Sequence, residues 1–182
     1  MSKTVKIVLG TVGVIAIAAL AVLVAAAMRP DTFTVQRSIM VNTPPEWVFP
    51  LINHFQRWRD WSPWERKDPD MKRAFGPHAS GKGAVYSWSG NKDVGQGKME
   101  IVEAKSPSLV RLKLEFFKPF KAQNEVDFTL EQRGYGTVVT WTMRGELTFA
   151  QKVAHLFMDM DAVVGKDFEQ GLANLKARAE KP

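Results

Sequence analysis

Residues 84–145 read AVYSWSGNKDVGQGKMEIVEAKSPSLVRLKLEFFKPFKAQNEVDFTLEQRGYGTVVTWTMRG, and apolar side chains recur there at every second position over long runs. That period belongs to a strand with one face in a core and the other in water. The runs fall at 84–89, 94–104, 109–117, 121–132 and 137–145. Gly90-Asn91, Ser106-Pro107, Lys118-Pro119 and Arg133-Gly134-Tyr135-Gly136 break them, each a turn signal. The stretch predicts a meander of successive strands.

Alternation also says which side faces inward. On 121–132, Ala122, Asn124, Val126, Phe128 and Leu130 share one face, against Gln123, Glu125, Asp127, Thr129 and Glu131 on the other, so the first set is the buried one. The same rule selects Val110, Leu112, Leu114 and Phe116, then Val139, Trp141 and Met143, then Met99 and Ile101, then Tyr86 and Trp88. Asn124 is the one polar side chain on an apolar face. A buried amide needs a hydrogen-bond partner, either neighbouring backbone or a bound molecule.

Downstream, Val153, Leu156, Phe157, Met160, Val164, Phe168, Leu172 and Leu175 recur at three- and four-residue steps, which predicts one long amphipathic helix over 149–179. Asp159 and Asp161 are two apart on it and do not face each other, so they are expected to solvate its surface. Upstream, Phe33, Val35, Ile39 and Val41 alternate with polar residues in a strand over 33–41, with Arg37 the exception on the apolar side. Thr43, Pro44 and Glu46 then fit a capped helix start at Pro44. Pro50 is expected to interrupt or kink that helix. Residues 62–83 read as loop with a weak edge strand at 72–75. Trp58, Trp61 and Trp64, three apart, could shield a cavity mouth, rest at a bilayer interface or pack the loop onto the domain. Sheet and terminal helix together make an α+β domain over 33–182.

The chain begins differently. Residues 7–28, IVLGTVGVIAIAALAVLVAAAM, carry no charge, and a helix of that length spans a bilayer core of about 30 Å. Lys3 and Lys6 precede the run, so residues 1–6 are expected in the cytoplasm and the domain on the periplasmic or extracellular side of the inner (plasma) membrane. Ala25-Ala26-Ala27 also offers a signal-peptidase site, but the apolar run exceeds the usual length of a signal core, which favours an uncleaved single-pass anchor.

Composition narrows the chemistry. The 25 basic and 19 acidic residues give a net charge of +6, and setting aside Lys3, Lys6, Arg29 and Asp31 leaves about +4 on the domain, with both signs interspersed. That is unlike the clustered basic stripe of a nucleic-acid binder and compatible with loose attraction to anionic lipid headgroups. With no Cys there is no disulfide, thiolate metal site or catalytic thiol. His54, His78 and His155 show no metal-ligand spacing, and no nucleophile elbow or phosphate-binding loop occurs. No catalytic residue, metal or cofactor is therefore assigned.

Several motifs, in order, resemble the polyketide cyclase/dehydrase-like branch of the SRPBCC or START-like superfamily. They are Arg37-Ser38-Ile39 leading to Pro44-Pro45-Glu46-Trp47-Val48-Phe49, then Trp58-x-x-Trp61-Ser62-Pro63-Trp64 and Gly83-Ala84-Val85-Tyr86-Ser87-Trp88. Phe128-Thr129-Leu130-Glu131 with Gly136-Thr137-x-Val139-Thr140-Trp141 follows, and then Gly165-Lys166-Asp167-Phe168-Glu169-x-Gly171-Leu172. The resemblance implies a helix-grip fold, a curved antiparallel sheet around a long C-terminal helix with a deep apolar cavity between. It brings no catalytic motif, because the superfamily hosts carriers, cyclases, hydroxylase domains and co-chaperone-like modules on one scaffold.

The expected function is a membrane-anchored binding domain for a hydrophobic or lipid-like small molecule, a binder more than an enzyme. Candidate cavity residues are Tyr86, Trp88, Met99, Leu112, Leu114, Asn124, Val126, Phe128, Trp141, Met143, Met160 and Val164. Two other classes stay open: a cyclase/dehydrase-type enzyme using Asn124 and Tyr86 to polarise a carbonyl, and a protein-interaction or chaperone-like module.

Overall fold

A computed structural model describes residues 3–181. In chain order the elements are α1 (Lys3–Ala27), β1 (Thr32–Val41), α2 (Pro45–Asn53), a 3-10 turn (Phe55–Asp60), α3 (Trp64–Lys67), β2 (Lys72–Phe75), β3 (Val85–Ser89), β4 (Gln96–Lys105), β5 (Leu109–Lys118), β6 (Ala122–Arg133), β7 (Gly136–Glu146), α4 (Phe149–Ala154) and α5 (Met160–Ala179). The strands form a seven-stranded curved antiparallel sheet in the order β1-β7-β6-β5-β4-β3-β2, so only β1 is out of sequence, joining the far edge beside β7. The strand boundaries read from alternation agree to within two residues.

The chain divides into two compact units. The first takes residues 1–33 and 146–160. In it, Gly10–Ala27 of α1 is long and apolar enough to cross a membrane, with Val14, Ile15, Ile17 and Leu20 exposed and Ala26 buried. Thr148 and Gln151 close a capping box at the start of α4. Lys152 is buried and pairs with Asp31, whose backbone carbonyl accepts from the Leu147 N–H at 2.7 Å. The Phe33 ring meets His155 edge to face at 6.1 Å.

The second unit, residues 34–145 and 161–182, holds the sheet and α5. Phe168, Leu172 and Leu175 are its buried ridge, and Phe168 stacks on Trp141 with ring centroids 4.1 Å apart and planes 9° off parallel. Arg37, the exception in the β1 pattern, reaches α5: its guanidinium donates to both carboxylate oxygens of Asp161 at 2.9 and 3.0 Å and through Nε to Glu169 at 2.7 Å. Asp161 is therefore a clamp for β1 and not merely a solvating group. Gly165 sits beneath that guanidinium, where a Cβ would overlap it.

Three expectations need correction. The helix expected over 149–179 is two, α4 and α5, because residues 155–159 leave helical geometry while the apolar periodicity continues through the break. No capping box forms at the start of α2: the helix begins at Pro45, Pro44 is held extended by the proline after it, and the Thr43 hydroxyl donates instead to the Ala179 carbonyl. Pro50 lies inside α2 without ending it, since a helix of nine residues loses one internal hydrogen bond there and stops a turn later.

The outer face of the sheet is charged, and the paired Asp127 and Thr142 break the simple pattern by being buried there. Asp127 faces outward yet is buried, because Arg111 covers it with two hydrogen bonds at 2.7 and 3.0 Å and Arg144 with a third at 3.0 Å. Burial pushes its carboxyl up, but the hydrogen bonds from the two arginines outweigh this and hold it below the usual range. A depressed carboxyl stabilises the fold fully above the unfolded value, near pH 4, and the contribution is lost as pH falls through the lower folded value. The gap in unfolding midpoint between wild type and Asp127→Asn should therefore be wide at pH 6 and narrow progressively below pH 4.

Gly97 marks a register shift in β4 and lies under the Trp88 ring, against the Glu115 carbonyl of β5. A Cβ there would overlap both, one of them backbone. Gly97→Ala should destabilise the sheet unit by about 1–3 kcal/mol through overpacking, read by denaturant unfolding monitored by Trp fluorescence.

Candidate functional site

Strand register gathers the expected cavity residues into adjacent rows on the inner face of the sheet. Tyr86 pairs with Met99, Met99 with Leu114, and Leu114 with Asn124. The next row runs Ile101, Leu112, Val126, Met143, and beyond it lie Val110, Phe128 and Trp141. Trp88 stands beside the first row over Gly97. Val164 is half-buried on the second turn of α5. Met160, at the first residue of that helix, is also half-buried but falls in the other unit and is not placed with these rows.

The face is not uniform. Toward the C-terminal half of α5 it is filled by rings. Trp58 and Trp61 are 3% and 1% exposed, both meet Phe128 and Trp141 edge to face, and Trp64 packs edge to face on Trp141 and Phe168. The indole N–H of Trp58 donates to the Ile52 carbonyl and that of Trp61 to the Leu51 carbonyl, which fixes both rings inward. Of the three roles open to these tryptophans, packing is the observed one. Neither Trp58 nor Trp61 is free to sit at a bilayer surface.

Away from this wedge the residues keep a little exposure. Met99, Leu114, Asn124 and Met143 are 9, 8, 7 and 6% exposed, whereas Ile101, Leu112, Val110 and Phe128 are at 0%. Solvent thus reaches one corner of the inner face, and Asn124 is in that corner. No hydrogen bond links its side-chain amide to any of the described residues. Trp141 adds a second polar group without a partner, its buried indole N–H. A buried group left unsatisfied in this way, as the Trp141 indole N–H is, costs about 1–3 kcal/mol.

The sequence reading missed the ion pair beneath Tyr86. The Tyr86 hydroxyl donates to Glu65 Oε1 at 2.7 Å, and Arg73 Nε donates to Glu65 Oε2 at 2.7 Å, with both charged side chains largely buried. Glu65, on α3, carried one usable signal: a carboxylate set directly behind Trp61-Ser62-Pro63-Trp64, where apolar neighbours demand a charged partner. Because its proton is committed to Glu65, the Tyr86 hydroxyl is not free to polarise a carbonyl. The Tyr86 ring is stacked on Phe75 at 5.2 Å and on Trp88 at 6.0 Å.

This arrangement, a curved sheet gripping a C-terminal helix with a partly accessible apolar inner face, is the helix-grip fold of Bet v 1-like and SRPBCC proteins. The chain belongs to the family described as polyketide cyclase / dehydrase and lipid transport, which matches residues 32–180. Similar solved structures include ginseng major latex-like protein 151 from Panax ginseng, at TM-score 0.60 and 14% identity over 84% of this chain and 100% of that one. A protein of Chromobacterium violaceum matches at 0.59 and 14%, over 85% and 100%. The Aha1 dimer from Colwellia psychrerythraea matches at 0.58 and 16%, over 81% and 96%. At these identities the likeness is one of fold. No curated protein matches the chain.

Burial and the hydrogen bond to Glu65 both push the Tyr86 phenol up. In a Tyr135→Phe variant, where Tyr86 is the remaining tyrosine of the two, phenolate absorbance should appear only well above the usual value of about 10, or together with unfolding. Ultraviolet titration beside circular dichroism reads both.

Proposed function

We propose that this chain is a membrane-anchored domain that binds a hydrophobic or lipid-like small molecule in the corner of the sheet lined by Met99, Leu114, Asn124, Val126 and Met143. The observation that carries the reading is Asn124: a polar amide with no hydrogen-bond partner among the described residues, on an apolar and polarizable surface that keeps some exposure. The apolar surroundings suit an acyl chain or flat ring, and the amide suits one carbonyl or hydroxyl upon it. The family's description, which names lipid transport beside cyclase and dehydrase activity, is consistent with this. Gly10–Ala27 supplies the anchor, and Lys3 and Lys6 ahead of it favour a domain on the periplasmic or extracellular side of the inner membrane.

Native mass spectrometry of the full chain released from detergent micelles tests the proposal. Wild type should retain an added mass after detergent is stripped, identifiable by organic extraction, and Leu114→Trp or Asn124→Trp should lose it while unfolding cooperatively. An identical bare mass for wild type and both variants would sink the carrier reading and leave catalysis on a transient substrate or protein interaction in its place.

A further inference from the structure

We propose that the β5–β6 hairpin tip, Phe117-Lys118-Pro119-Phe120-Lys121, is a second membrane contact that seats the domain in the headgroup layer of an anionic bilayer. The proposal rests on the anchored reading of the chain.

Phe117, next to last in β5, and Phe120, in the β5–β6 turn, are 45% and 77% exposed. Two bare rings at a tip are costly in water, and a cation lies next to each, Lys118 and Lys121, both exposed. Rings that enter the headgroup and acyl boundary beside cations that meet lipid phosphates make the composition of an interfacial anchor. The tip is also braced. Gly95, at φ +64 in the β3–β4 turn, lies so close beneath it that a Cβ would overlap the Lys118 carbonyl. The backbone at Lys118 is therefore packed against the β3–β4 turn.

Topology puts this tip at the relevant end of the sheet. Asn124 pairs with Gly145, while Gln36 and Ser38 of β1 bond to Thr142 and Thr140 of β7. The β5–β6 tip thus projects from the end of the sheet at which β1 enters. Residues 28–31 alone separate α1 from β1, a link of at most about 18 Å when fully extended. The opposite end carries Tyr135, 98% exposed in the β6–β7 turn, and offers a built-in control.

Because the chain has no Cys, Phe120→Cys and Tyr135→Cys each supply a single attachment point for a nitrobenzoxadiazole fluorophore in the full chain. After reconstitution into phosphatidylcholine and phosphatidylglycerol vesicles, brominated lipids should quench the label at position 120 about threefold more than at 135, with a blue-shifted emission. Phe117→Cys should behave as Phe120→Cys does. Equal quenching at 117, 120 and 135 in a chain that resists alkaline carbonate extraction overturns the tip and leaves the anchor standing. Release of the chain by carbonate removes the anchor and the proposal together.

Discussion

One helix has to cover one face of seven strands, and most of this structure follows from the mismatch. Strands spaced about 4.8 Å apart make a sheet roughly 29 Å across, whereas a helix with its side chains is about 10–12 Å wide. Curvature alone does not close the difference. The protein closes part of it with aromatic bulk: Trp58, Trp61 and Trp64, delivered from the 3-10 turn and α3, wedge against Phe128, Trp141 and Phe168 and complete the core there. The corner near Asn124, outside that wedge, keeps its residual exposure.

Holding the helix in place is a separate problem, and the polar residues that break the apolar patterns solve it. Arg37 interrupts the inner face of β1 to reach Asp161 and Glu169 near the start of α5. Toward the other end of the helix, the Asn42 N–H bonds to Glu180 and Lys176 donates to the Met40 carbonyl. The exposed members of these pairs contribute little each, but they fix the register of α5 against β1. Gly165 and Gly171 let the helix backbone approach, the first under the Arg37 guanidinium and the second beside the Trp141 ring and Pro63.

Much of this was legible in the sequence, and the reasons differ by element. A strand declares itself through a two-residue period and its flanking turn residues, so the meander and its inward face were readable residue by residue. The interruption between α4 and α5 was not, since apolar spacing carries no record of which partner each turn packs against. Asp127 shows the same gap from the polar side: it is buried because Arg111 and Arg144, 16 and 17 residues away, cover it, and pairing at that range leaves no local trace. Asn124 was legible as an exception, and the structure shows that no neighbouring group removes it.

That exception bears on what the inner face is for. A core selected only for stability would place Leu at position 124, because a buried Leu side chain contributes about 1.5–3 kcal/mol that an amide does not. An apolar ligand packed against this amide would have to supply its hydrogen bond, since none of the described residues does. A hydrocarbon without a polar group would leave the amide bare, whereas one bearing a carbonyl or hydroxyl would satisfy it and gain about 0.8 kcal/mol for each methylene buried on the neighbouring Met and Leu side chains. On the proposed binding reading, Asn124 would make this surface favour amphiphiles over plain hydrocarbons.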